Sequence, residues 1–258
     1  MHKRFSLLYS FIFFLGLQSC YPPEEFSNTP SIAFRSLSFN QSDVASDSLV
    51  LNIDFTDGNG DIGLEGNETR APYHAYNVII DSENQYVTLS NDSARTPFYY
   101  AVAPNFASNP EDLELRFFSD TDDRKPFNCQ EYEIVEFSDN QGNSFKDTIY
   151  VFRNENNKNI FVDFYRKVNG QYEFIDWTTV FSAIGCGTNF DARFPVFEPD
   201  NNGRSLEGTI RYAMVSDGFS LVLRSDTFQV RVRIKDRELN DSNVAVSPDL
   251  TLNDILTQ

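Results

Sequence analysis

Apolar and polar positions alternate along most of the chain. "SLVLNIDF" (residues 48–55) puts Leu49, Leu51, Ile53 and Phe55 on one face and Val50, Asn52 and Asp54 on the other. That two-residue period predicts a half-buried strand. "SIAFRSLSF" (31–39) alternates in the same way, and shorter strand-like runs follow: "YNVII", "YVTL", "FYYAVA", "LELRFF", "YEIVEF" and "DTIYVF". Clusters such as "DSEN", "SNDS" and "DNQGN" separate them as turns. "NIFVDFYRKVNGQYEFIDW" (159–177) reads as a hairpin, because Asn169-Gly170 supplies the positive φ that a type I′ turn needs. "GTIRYAMV", "FSLVLR", "FQVRVRIKD", "NVAV" and "DLTL" complete the series. Only "NPEDLELRF" and "DWTTVFSAIG" predict a short helical turn. The 25 Phe and 12 Tyr favour strands further.

Short strands punctuated by turns predict an all-β protein, specifically a sandwich. The last segment, "FQVRVRIKDRELNDSNVAV", has the look of strand F, an FG loop and strand G of an immunoglobulin- or fibronectin-like module. The hairpin at Asn169-Gly170 then corresponds to strands C and C′. On this reading residues 31–258 are one immunoglobulin-like sandwich with a long, mostly β insertion at about 66–155. The alternative is two β domains divided near 155–158.

The N-terminus breaks the pattern. His2, Lys3 and Arg4 precede "FSLLYSFIFFLGL", an apolar run of 13 residues. That length suits a signal-peptide core and falls short of the ~20 residues of a membrane-spanning helix. The run ends in "LQSC", with Leu17 three residues before Cys20 and Ser19 just before it; this resembles the lipobox of bacterial lipoproteins. The resemblance implies a signal peptide over 1–19 and a lipid on Cys20, although Gln18 departs from the usual box. The alternative is an ordinary signal peptide with an incidental cysteine. Several acyl chains on one cysteine give stable anchoring, at ~0.8 kcal/mol per buried CH2. "YPPEEFSNTPS" then makes residues 20–30 an extended tether. In lipoproteins similar to those of Bacteroidota, acidic residues at this point direct export to the cell surface, a role open to Glu24 and Glu25. The expected location is therefore the outer membrane, lipid-anchored and facing the cell surface, with its periplasmic face as the alternative.

Charge and cysteines narrow the partners. The net charge is -17, and losing Lys3 and Arg4 takes the mature chain to -19. Such a surface repels phosphate backbones, which argues against nucleic acid as a partner. After Cys20 only Cys129 and Cys186 remain, and in an oxidising compartment an even pair is most simply a disulfide. A free reactive thiol is the other reading. No G-x-S-x-G, H-E-x-x-H or phosphate loop occurs, and one histidine, His74, follows the signal segment. A catalytic role is not expected, although a carboxylate pair for glycoside hydrolysis is not something a sequence with 38 acidic residues tests.

One stretch carries candidate chemistry. In "IDFTDGNGDIGLEGNE" (53–68), with Asp57 counted as position 1, Asn59 is 3, Asp61 is 5, Glu65 is 9 and Glu68 is 12. This approaches the oxygen-ligand spacing of an EF-hand. Ile62 stands where that loop needs glycine, a strand precedes it, and nothing helical follows, so a helix–loop–helix is rejected. A calcium loop on a β-scaffold survives, because hard oxygens without His or Cys favour Ca2+. If the loop is BC and "KDRELNDSN" is FG, the two meet at one end of the sandwich and Asp236, Asn240, Asp241 and Asn243 come within reach. The metal candidates are Asp57, Asn59, Asp61, Glu68 and Asp236. The other reading is that Asp, Asn and Gly simply make turns, with Asp236 and Arg237 in a local ion pair.

The pieces "FTDGNGDIG", "FNCQEY", "NIFVDFYRKVNGQYEF", "FDARFPVF", "LEGTIRY" and "IKDRELNDSNV", in this order, resemble a family of uncharacterised lipoproteins from Bacteroidota along most of the chain. The resemblance supports anchor, fold and disulfide and implies no reaction or ligand. Asn59 stands where that family's loop often has a second aspartate. The expected function is a non-catalytic, membrane-anchored module that is structural or binds an envelope protein. One alternative is surface glycan binding, for which Tyr99 and Trp177 are the candidate platforms. Another is a calcium-stabilised, adhesin-like module.

Overall fold

The computed structural model describes residues 26–42, 44–90, 94–102, 115–138, 141–197 and 203–257. Residues 1–25, which hold the expected signal peptide, Cys20 and the first part of the expected tether, lie outside the described residues, as does 109–114, where a helical turn is expected. Twelve strands are described: β1 (Ser31–Asn40), β2 (Ser48–Asp57), β3 (Tyr76–Ile80), β4 (Phe98–Val102), β5 (Arg116–Ser119), β6 (Tyr132–Ser138), β7 (Ser144–Arg153), β8 (Ile160–Val168), β9 (Gln171–Phe174), β10 (Leu206–Val215), β11 (Phe228–Ile234) and β12 (Ala245–Val246). They form three antiparallel sheets, ordered β1-β2-β10, β12-β11-β8-β9 and β5-β4-β3-β7-β6. The protein is all-β. Among the described residues no helix is long and apolar enough to cross a membrane.

The first two sheets share one core. Leu49, Leu51, Ile53 and Phe55 of β2 face Phe164 of β8 and Phe228, Val230, Val232 and Ile234 of β11 in a single buried cluster. The two-residue period explains this, since every second side chain of each strand points inward. Lettered from A to G, the sandwich is A-B-E against G-F-C-C′, the arrangement of immunoglobulin- and fibronectin-like folds. Asn169 (φ 49°) and Gly170 (φ 81°) close the β8–β9 hairpin with Val168 opposite Gln171, as a type I′ turn requires. The expected helical turn at "DWTTV" is a helix over Trp177–Val180, capped by Asp176, whose carboxylate accepts from the Thr178 amide. Trp177 stacks edge-on against Phe164, Phe190 and Phe219 within the sandwich core.

The third sheet comes entirely from residues 76–153, between β2 and β8. It has apolar clusters of its own, one including Val78, Ile80, Val135 and Val151, the other Ile79, Phe98, Tyr132 and Tyr150. A division near 155–158 would part β2 from β10, which pair over ten consecutive positions, Leu206↔Asp57 to Val215↔Ser48. Cys129 and Cys186 form a disulfide, with Cα atoms 4.9 Å apart across a separation of 57 residues. It ties the segment between β5 and β6 to the loop after the Trp177 helix, so it joins the inserted sheet to the sandwich.

Candidate metal centre

Asp57 is the last residue of β2 and is fully buried. The chain turns sharply after it because of two glycines. The Gly58 amide donates to the Ser27 carbonyl at 2.7 Å, and a Cβ at Gly58 would lie 2.3 Å from the Phe26 carbonyl oxygen. Gly60 has φ +67°, and its amide donates to Asp57 Oδ1 at 2.5 Å. Ile62, where an EF-hand carries glycine, is instead fully buried in the sandwich core. Its burial and the 2.9 Å bond from the Leu64 amide to the Phe194 carbonyl pin the loop. The loop's conformation is thus fixed by the sandwich, with no flanking helices.

The turn after β11 brings the second half of the centre. Within it the Asp236 amide donates to the Asn240 carbonyl, and Asn240 returns two bonds to the Asp236 carboxylate, from its amide (2.7 Å) and from Nδ2 (2.8 Å). The Arg237 amide donates to the Asp61 carbonyl, and the Glu238 amide to Asp61 Oδ2, each at 3.1 Å. As a result, one carboxylate oxygen from each of Asp57, Asp61 and Asp236 lies within 4.8 Å of the other two.

Three oxygens here have no hydrogen-bond partner: Asp57 Oδ2, Asn59 Oδ1 and Asp61 Oδ1. They are the only buried side-chain oxygens without one among the described residues; the nitrogens Trp177 Nε1 and Arg231 Nε, elsewhere in the fold, also lack one, while Arg166 Nε lies 2.9 Å from the Asp226 carboxylate. Each buried acceptor left unsatisfied costs ~1–3 kcal/mol, more when charged, so a concentration of three needs a cause. The electrostatics agree. Burial, with the charges of Asp236, Asp57 and Glu238 behind it, pushes the Asp61 carboxyl up to about 6. Burial also raises Asp57, aided by Asp236, against the Gly60 amide that lowers it. Asp236 is raised by burial and by Glu238, against its bonds from Asn240. Three carboxylates forced together and dehydrated bind a hard cation well, because its charge removes their repulsion. The donors are all oxygen, which fits Ca2+ better than zinc or copper.

Glu68 requires a correction. It was a candidate twelfth-position ligand, but both its oxygens are held elsewhere: Oε1 and Oε2 each accept from a terminal nitrogen of Arg237, and Oε2 also from the Glu65 amide at 2.7 Å. The guanidinium outcompetes the loop because its fork matches a carboxylate in two places. It holds Glu68 below the usual range of a glutamate. Arg237 accordingly does not form the local pair with Asp236. Among the FG candidates, Asp241 pairs with Arg233 at 2.6 Å and Asn243 brackets the backbone of Ile32. Trp177, a candidate glycan platform, is 5% exposed and belongs to the core; its place among Phe rings decides this. Tyr99 is half-buried on β4, opposite Ile80 and Phe117.

Four residues around the centre went unremarked in the sequence: Tyr73, Arg193, Arg237 as a Glu68 partner, and Glu238. The Tyr73 hydroxyl donates to the Arg237 carbonyl at 2.7 Å. Arg193 donates to four carbonyls, those of Asn157 (2.6 Å), Glu65 and Glu68 (3.0 Å each) and Tyr73 (2.7 Å). Their only sequence signal is position within "APYHAY", "FDARFPVF" and "KDRELNDSN"; their partners are too distant in the chain to be read. Comparison of the chain with protein-family models, curated proteins and solved structures finds no match in any of the three.

Proposed function

We propose that this protein is a lipid-anchored, non-catalytic module of the cell envelope whose sandwich is stabilised by one Ca2+ held by Asp57, Asn59, Asp61 and Asp236. The anchor rests on "LQSC" at the end of the apolar leader, and the outer membrane is its expected location, in keeping with Glu24 and Glu25 just after Cys20. The observation that carries the ion is the group of three unpartnered buried oxygens beside Asp236. Because these oxygens are enclosed, the ion is structural and does not bridge to an external ligand. Membrane attachment, an envelope protein partner and the calcium requirement then describe one object: a rigid β module displayed on a tether.

Thermal melting in calcium and in chelator tests the ion. At a calcium concentration 100 times Kd the fold gains ~2.7 kcal/mol by mass action. For a chain of this size that is about 5–10 °C of melting temperature. Identical melts in millimolar calcium and in chelator would reduce "DGNGD" to a turn. Magnesium is the specificity control, since it accommodates an irregular oxygen cage poorly.

A second reading, glycan capture, draws support from the inserted sheet. Phe118, Phe152 and Tyr100 form a row with centroids 5.9 and 6.3 Å apart, and Phe152 is 51% exposed. Polysaccharide binding that is lost in Phe152→Ala and kept in the calcium-site variants would favour it.

A further inference from the structure

We infer that the cation centre acts beyond its own loops: the ion sets the rigidity of the stem that joins the inserted sheet to the sandwich. This rests on the calcium reading above. The stem has two strands of chain, an entry (residues 65–75) leading to β3 and an exit (154–159) leading from β7 to β8. The entry begins four residues beyond Asp61.

The connection is a continuous set of bonds. The ion would sit between Asp61 and Asp236, and the next residue, Arg237, is bonded on three sides. Its amide holds the Asp61 carbonyl, its carbonyl accepts the Tyr73 hydroxyl, and its guanidinium grips the Glu68 carboxylate. Glu68 and Tyr73 both lie in the entry. Arg193 then binds entry to exit, through the carbonyls of Glu65, Glu68 and Tyr73 on one side and Asn157 on the other. Asn157 Nδ2 also donates to the Tyr73 carbonyl at 2.9 Å, and Asn154 Nδ2 to the carbonyls of Pro72 and His74, each at 2.7 Å. Exit and entry are therefore stitched along their length.

Without a cation, mutual repulsion of Asp57, Asp61 and Asp236 pushes the turn at 236–240 away from the loop at 57–61. Arg237 is carried with that turn, so its grip on Glu68 and Tyr73 loosens. With the ion, the turn is pulled back and the stem tightens. The disulfide Cys129–Cys186 keeps the inserted sheet attached in either state. The expected change is thus in stem mobility, with both sheets still folded. Calcium outside the cell would hold the inserted sheet in a fixed orientation.

Hydrogen exchange read by mass spectrometry, on the full-length protein in detergent with calcium or with chelator, tests this. Amides of 65–75 and 154–159 are expected to exchange roughly tenfold more slowly in calcium, a difference of ~1.4 kcal/mol in local opening, while β4 and β6 are unchanged. In Glu68→Ala, calcium binding measured by calorimetry is expected to persist, and protection of 57–61 and 236–241 with it, while protection of 65–75 is lost. Arg237→Met serves as a second variant that cuts the same link from the other side. Protection confined to 57–61 and 236–241 in the parent overturns the coupling and leaves the ion site standing. Protection of 65–75 that survives both variants also overturns it. No heat of calcium binding in the parent overturns the calcium reading, and this inference with it.

Discussion

Arg237 closes both terminal guanidinium nitrogens on the carboxylate of Glu68, 169 positions earlier in the chain. The pair spans the gap between the sandwich and the start of the inserted sheet. It also withdraws from the metal loop the one glutamate whose spacing suggested a bidentate ligand, so the same contact that corrects the ligand set defines the joint between the two parts.

Arg193 is the other half of that joint, and its shape matters more than its charge. It satisfies four backbone carbonyls with a planar fork. Arg193→Lys keeps the charge but reaches fewer of them. Both Arg193→Lys and Arg193→Met are expected to lower stability by about 2 kcal/mol, since each leaves half-buried carbonyls unpaired. Urea titration measures this; a Lys variant as stable as the parent would show that charge alone suffices.

Asp57→Asn with Asp61→Asn removes two of the three charges at the centre. The double variant is expected to lose the calcium-dependent rise in melting temperature. In chelator it is expected to melt no lower than the parent, because the repulsion it removes is uncompensated there. A double variant that still gains several degrees from calcium would place the ion elsewhere.

The pH dependence of the calcium-free protein follows from Asp61, whose carboxyl rises from 3.8 in a free chain to about 6 in the fold. A raised acid binds more protons folded than unfolded between those values, so its contribution to stability declines as pH rises through that window and is level above it. The decline amounts to no more than about 3 kcal/mol, less what solvent screens. In chelator, the melting temperature of Asp61→Asn minus that of the parent is expected to grow from pH 4 to about pH 6.5 and then stay constant. In saturating calcium the difference should not grow in this way. A flat profile in chelator would mean that Asp61 is not dehydrated.

The disulfide crosslinks the inserted sheet to the sandwich across 57 residues. Loss of a crosslink over a loop of that length costs about 4 kcal/mol in the chain-entropy model, less any native strain. Cys129→Ser with Cys186→Ser is therefore expected to unfold at markedly lower urea. Intact-mass analysis after alkylation under denaturing conditions should show no free thiol from this pair until reductant is added.

The anchor is tested at Cys20. Cys20→Ala is expected to abolish fatty-acid labelling and move the protein from the detergent phase to the aqueous phase. Equal labelling of variant and parent would refute lipidation at this position.

Much of the fold was written in local patterns. The alternation in β2 named its inward residues, because a strand's two faces meet different surroundings regardless of its neighbours, and "FQVRVRIKD" was legible as a strand. Asn169-Gly170 named its turn, because positive φ is a property of single residues. The all-β class followed, as did the pairing of the last two cysteines. The candidate centre divided differently. "DGNGDIG" displayed its oxygens in sequence, since Asp57, Asn59 and Asp61 are near neighbours, and the strand lettering put Asp236 at the same end. Whether each oxygen was free to bind was a matter of long-range partners. Arg237 captured Glu68, Asp241 went to Arg233, and Trp177 was enclosed by Phe164, Phe190 and Phe219. Arg193 looked like any surface arginine until four carbonyls from distant segments surrounded it. Periodicity and turn chemistry act over a few residues and are legible in order along the chain. Competition for a carboxylate is settled only when all its rivals are brought together, and tertiary packing alone does that.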